Sequence, residues 1–169
     1  YSKDAPIELI LPSLYSELDG EALKNIVSCL SDVKYLNHIT IGLDNADKSE
    51  FIKAKKFFAS LNQSHSILWN DSPKMKKLDS DLKKIGIAPN QSGKGKNVWY
   101  CMGYTYSRNE ASSVALHDCD ITTYNRYLLA RLVYPVSNPN FNYEFCKGYY
   151  PRIREGALSG RVTRLLVTP

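Results

Sequence analysis

Leu36–Leu61, LNHITIGLDNADKSEFIKAKKFFASL, is the stretch that decides the fold. Leu36–Leu43 alternates as a half-buried strand does, sending successive side chains to opposite faces. Two acids, Asp44 and Asp47, end that pattern. Asp47 with Glu50 three residues later reads as a capping box, in which each side chain accepts from the other's backbone N–H. The helix it opens carries Phe51, Ala54, Phe57, Phe58 and Leu61 on one face. A strand that feeds a capped helix this directly is half of a βαβ unit.

The same unit recurs on both sides. Upstream, Ile7–Leu11 is a strand ended by Pro12, and Asp19 caps a helix with Ala22, Leu23, Ile26, Val27 and Leu30 at helical spacing. Downstream, Ser66–Trp69 is a third strand, and Ser72-Pro73 starts a helix with Met75, Leu78, Leu82 and Ile85 inside. A polar loop, APNQSGKGKN, leads to a helix with Val98, Trp99, Met102 and Tyr106. Ser113–Leu116 is the fourth strand and runs straight into HDCD. Strands alternating with helices imply right-handed crossovers, hence an α/β fold with a mostly parallel sheet and helices on both faces. Neither a repeat nor a linker interrupts the 169 residues, which read as one domain, 1–169.

Composition excludes several classes. With 43% apolar and 23% charged residues the chain is ordinary globular protein and not a disordered or collagen-like one. No run approaches the roughly 18–20 apolar residues of a membrane span. The first residues lack a signal peptide's charged start and cleavage site. The chain is therefore expected to be cytoplasmic, without membrane contact, and a piece of something longer. Cys29, Cys101, Cys119 and Cys146 form no CxxC pair, so they read as small apolar residues in a reducing compartment.

The net charge of +5 is localised. Bases and acids balance through residue 120, and the excess arises after it, where Arg126, Arg131, Lys147, Arg152, Arg154, Arg161 and Arg164 face Glu144 and Glu155. Arginine's planar fork suits carboxylate and phosphate. An anionic ligand and a solvated basic surface are both compatible with that excess. Nucleic acid is not expected as a partner, because no basic patch with aromatics at a known motif spacing is present.

In open parallel sheets ligands bind beyond the carboxyl ends of the strands. That rule selects Pro12-Ser13-Leu14 with Glu17, then Asp44-Asn45, then Asp118-Cys119-Asp120, with the loop around Lys94 between the last two. Dinucleotide and P-loop glycine fingerprints are absent. Asp118 and Asp120 form a D-x-D pair: one carboxylate can bind a hard divalent cation while the other orients a sugar hydroxyl, and such a cation needs only one or two carboxylates plus phosphate oxygens. A solvated turn is the alternative reading of that pair. His117 alternates away from the acids and reads as a core histidine. Lys94 sits between glycines before a helix, where it can meet a phosphate or a base carbonyl, or simply solvent. Most of the twelve tyrosines read as packing residues, Tyr149 and Tyr150 as a sheet edge.

The ordered motifs PSLYSE, SGKGKNVW, VALHDCDITTY, YPVSNP, YEFCKGYY and GRVTRLLVTP resemble the glucosyl-3-phosphoglycerate synthase family. These are retaining GT-A glycosyltransferases that move glucose from a nucleoside diphosphate to 3-phosphoglycerate. The resemblance implies a GT-A, Rossmann-like fold, here as the nucleotide-sugar-binding portion, with residues 121–169 beginning the acceptor part. It implies that Pro12, Ser13, Leu14 and Glu17 line the nucleotide pocket, that Asp44 or Asn45 contacts the nucleotide, and that Lys94 touches the base or diphosphate. Asp118 would hold donor hydroxyls, Cys119 would contribute backbone, and Asp120 would ligate Mg2+ or Mn2+. Gly160, Arg161 and Thr163 would take part in the acceptor site, while Lys147 matches a family lysine of open role. Family members continue beyond Pro169 with a histidine that completes the metal site, so the chain by itself is expected to turn over poorly. The implied partners are UDP-glucose or GDP-glucose and 3-phosphoglycerate, with a second copy of the chain as a further candidate. The alternatives are a mannosyl-3-phosphoglycerate synthase or other nucleoside-diphosphate-sugar transferase, and a non-catalytic nucleotide-sugar-binding module.

Overall fold

The middle strand of the sheet is β1 (Ile7–Leu14). On one side it pairs with β2 (Leu36–Asp44), which pairs with β3 (His65–Trp69); on the other it pairs with β4 (Ser113–Leu116), and every pairing is parallel. The computed structural model describes residues 2–148, 152–154 and 157–159. Among the described residues five α-helices accompany the strands: α1 (Glu21–Ser31), α2 (Lys48–Phe58), α3 (Pro73–Lys84), α4 (Lys94–Arg108) and α5 (Arg126–Ser137). A short antiparallel pair, β5 (Arg152–Arg154) and β6 (Ala157–Ser159), follows. The expected α/β fold with a parallel sheet is thus observed.

Alternation along β1 divides the molecule into two layers around the sheet. Leu9 and Leu11, with Ile39, Ile41 and Leu43 of β2, pack against Leu23, Ile26 and Leu30 of α1 and Ala54 and Phe58 of α2. Each such side chain contributes roughly 1.5–3 kcal/mol when fully buried. Glu8 points to the opposite face, where α4 lies across β1 and β2 and its Thr105 hydroxyl donates to the Glu8 carboxylate at 2.6 Å. Connections through α1 and α2 step the chain from β1 to β2 to β3, and the chain then returns past β1 to β4. The strand order therefore reverses between β1 and β4, which places a crevice at their carboxyl ends.

The capping expectation for α2 holds: Asp47 accepts from the Glu50 N–H at 2.8 Å and Glu50 from the Asp47 N–H at 2.7 Å. Ser72 caps α3 through the Met75 N–H at 3.2 Å, with Pro73 in the first turn.

Several expectations are corrected. Pro12 does not end β1, which continues to Leu14. The even residues of β1 bond towards β4, as the His117 N–H to Ile10 oxygen contact of 3.1 Å shows, and β4 has ended by the level of Pro12. Its missing N–H therefore costs no ladder bond. Asp19 does not cap α1; it ends a 3-10 turn, Tyr15–Asp19, and Gly20 takes the cap position. Met75, Leu78, Leu82 and Ile85 are not interior, since α3 buries no residue. It is tied to α4 by polar contacts instead: Asp79 accepts from Tyr100 at 2.6 Å and pairs with Lys96 at 2.6 Å, while Lys83 of α3 itself pairs with the same carboxylate at 2.9 Å.

For α4 the helix is where the sequence puts it, but it turns its other side inward. Asn97, Cys101 and Thr105, spaced four apart, face the sheet, while Trp99, Met102 and Tyr106 are exposed. The inward side is polar and slim because α4 rides directly over Gly42. A Cβ added there would stand 1.7 Å from Asn97 Oδ1 and 2.6 Å from Cys101 Sγ. Helix α5 was not expected; Asn125 caps it by accepting from the Tyr127 and Leu128 N–H groups, and Leu129 and Val133 join the core. Tyr149 and Tyr150, read as a sheet edge, lie outside the described residues. No described helix is long and apolar enough to cross a membrane.

Candidate active site at the carboxyl edge of the sheet

Strand register sets the floor of the crevice. Pro12 stands beside Gly42 and Leu14 beside Asp44, so the PSL segment and the end of β2 form one ledge. The turn after β1 is held by its own side chains: Glu17 accepts from the Leu14 N–H at 2.8 Å, and the Ser13 hydroxyl donates to the Leu14 carbonyl at 3.0 Å. Ser13 is buried and Leu14 is exposed at the rim.

After β2 the chain turns through Asn45 in the left-handed region, φ 55°, a conformation that asparagine tolerates better than most residues. Neighbouring bonds pin this turn, with Trp69 Nε1 donating to the Ala46 carbonyl at 2.7 Å and Asp71 accepting from the Ala46 N–H at 3.1 Å. Asp44 accepts from Asn70 Nδ2 at 2.7 Å. Burial pushes its carboxyl above the usual range; the amides of Asn70 and Asn97 and the Lys96 ammonium oppose that shift, and Asp71 adds to it.

The third wall follows β4. His117 continues inward, as its alternation predicted: it is buried, and its Nδ1 lies 3.1 Å from the Tyr124 hydroxyl. Burial lowers its pKa to about 4, and its Nε2 has no hydrogen-bond partner among the described residues, which suits a neutral ring. It is a core histidine and not a ligand facing the crevice. Asp118 turns outward and forms an ion pair with Lys94, the first residue of α4. Gly93 before it has φ 115°, which a side chain would strain. Cys119 is buried and its thiol is pushed up, first by burial and then by Glu17, against a hydrogen bond from Ser13. The Lys94–Asp118 ion pair joins the start of α4 to the turn after β4, and β4 pairs with β1.

Asp120 is exposed on the turn beyond Cys119, without a hydrogen bond or ion pair among the described residues. No group of three metal-ligating side chains occurs among the described residues. A free hard carboxylate at the crevice does fit a cation shared with a diphosphate, the arrangement in which few protein ligands are needed. Gly160, Arg161 and Thr163 lie outside the described residues. All four cysteines are free, with Cys101 and Cys119 buried.

Two residues escaped the sequence reading: Asn70 and Asn97. The strand-end rule that selected Asp44 applies equally to Asn70, the residue after β3. For Asn97 the available signal was the i, i+4, i+8 row of small polar residues on α4, which apolar periodicity passes over.

No protein-family model matches the chain. Along all 169 residues it is 44% identical to a curated glucosyl-3-phosphoglycerate synthase from Persephonella marina, and along 167 residues 37% identical to one from Methanococcoides burtonii. The similarity covers 100% and 97% of this chain. The chain spans 42% and 41% of the lengths of those two relatives.

Proposed function

We propose that the chain is the nucleotide-sugar-binding portion of a glucosyl-3-phosphoglycerate synthase, a hexosyltransferase that moves glucose from UDP-glucose or GDP-glucose to 3-phosphoglycerate with retention of configuration. The observation that carries this reading is identity along the whole chain to two curated synthases. The positions of Leu14 at the end of β1 and of the Lys94–Asp118 pair after β4 support it.

In this reading the ledge of Pro12, Ser13, Leu14 and Glu17 seats the base and ribose. Asp44 and Asn45 close one side, and Cys119 offers backbone at the floor. Lys94 leaves Asp118 when the donor enters, turning its charge to the diphosphate and freeing Asp118 to accept from sugar hydroxyls. Asp120 would hold Mg2+ or Mn2+, which when bound neutralises charge on the departing diphosphate. No covalent nucleophile is assigned, and the acceptor hydroxyl attacks from the face that the diphosphate leaves. Gly160, Arg161 and Thr163 receive the acceptor, whose carboxylate and phosphate match the arginine-rich region after residue 120.

Calorimetry of the complete protein with UDP and GDP, with and without Mg2+, tests the donor half. Metal-dependent binding of one nucleoside diphosphate is expected; binding of neither contradicts the reading.

A further inference from the structure

We infer that Asn70 is a positioning residue for Asp44: its side-chain amide, at the end of β3, holds the carboxylate that stands at the end of β2. This rests on the proposed role of Asp44 at the nucleotide.

Asn70 presents Nδ2 to Asp44 Oδ1 at 2.7 Å, yet its own Oδ1 is buried without a partner among the described residues. An orphaned acceptor normally costs stability, so the side chain is placed for its donor and not for its own satisfaction. Asn97 is buried. Its Nδ2 donates to the Gly42 carbonyl at 2.9 Å, its Oδ1 accepts from the Cys101 thiol at 3.5 Å, and it occupies the space a side chain at position 42 would need. The same amide favours the charged form of Asp44. Around that carboxylate, burial and Asp71 oppose ionisation, while Lys96 on α4 favours it. The Cys101 thiol, pushed up to about 12 by burial, stays neutral, and Leu14 of β1 brings no charge. Asp44 is half-buried, and the bond from Asn70 fixes its carboxylate as an acceptor against burial and the acid next to β3. An ionised, oriented carboxylate here suits the N–H of a base or the hydroxyls of a ribose.

The test is calorimetry of the complete protein with UDP, and with GDP as the second probe, between pH 5 and pH 8. Wild type is compared with Asn70→Ala and Asn70→Ser. The nucleotide's own titration is common to all and cancels in the ratios. At pH 8 the alanine variant is expected to bind within about twofold of wild type. Towards pH 5 it is expected to bind progressively more weakly than wild type, by up to about tenfold for one pH unit of displaced titration. The serine variant, which keeps a donor, restores most of that loss. Affinity ratios to wild type that stay flat across pH overturn the inference. Wild type that binds neither nucleotide overturns the functional reading itself.

Discussion

Gly42→Ala reads the contact on which α4, and with it Lys94, Lys96 and Asn97, is seated. The added methyl would stand 1.7 Å from Asn97 Oδ1, 2.8 Å from Asn97 Cγ and 2.6 Å from Cys101 Sγ. Ordinary carbon–oxygen contact is about 3.5 Å, so Asn97 must swing out or the helix must back away. Either movement breaks the 2.9 Å bond from Asn97 to the Gly42 carbonyl. Overpacking costs about 1–3 kcal/mol and an orphaned buried carbonyl about 1–3 kcal/mol more, giving a loss of about 3–5 kcal/mol. Urea unfolding followed by tryptophan fluorescence measures it. At a slope of ~2 kcal/mol/M the midpoint falls by about 2 M. Adding Asn97→Ala vacates the space, so the double variant is expected to be more stable than the two single losses predict. A Gly42→Ala loss under about 1 kcal/mol, or strict additivity, refutes the packing argument.

Asp120→Ala is expected to lower metal-dependent transfer in the complete protein by at least ~100-fold while UDP without metal still binds; full Mg2+ activation in that variant removes Asp120 as a ligand. Arg161→Ala is expected to raise KM for 3-phosphoglycerate about tenfold at unchanged donor affinity, and steady-state kinetics with each substrate varied decides it. His117 has a folded pKa of about 4 against an ordinary 6.5, so the unfolded chain binds the extra proton first as pH falls. Its contribution, about 3 kcal/mol at most, is present above pH 6.5 and is lost progressively towards pH 4. His117→Gln should flatten that part of the stability profile, and an unchanged slope in urea titrations at pH 4–6.5 would remove His117 as its source.

Elements were legible where local chemistry and tertiary packing agree. The alternation of Leu36–Leu43 and the Asp47–Glu50 box recur in the structure because both act within a few residues. Which face of a helix is buried was legible only where burial is apolar. On α4 the apolar positions Trp99, Met102 and Tyr106 pointed one way, yet a bare glycine on β2 draws in the polar row Asn97, Cys101 and Thr105. On α3 apolar spacing likewise misled, because the Asp79 cluster and not a core holds that helix. Helix α5 was obscured by Pro135 inside its last turns, although Asn125 and the Leu128, Leu129, Leu132, Val133 pattern announce it. For the crevice, the strand-end rule found Leu14, Asp44 and Asp118 but not that Lys94 would pair with Asp118, a contact 24 residues apart that only the crossover creates.

The central claim is tested most directly by incubating the complete protein with 3-phosphoglycerate, Mg2+ and, in turn, UDP-glucose, GDP-glucose and GDP-mannose, and identifying the product by mass and anomeric configuration. A glucosylated phosphoglycerate of retained configuration is predicted from one of the glucose donors. Formation of product from GDP-mannose alone, or from no donor, would contradict the account.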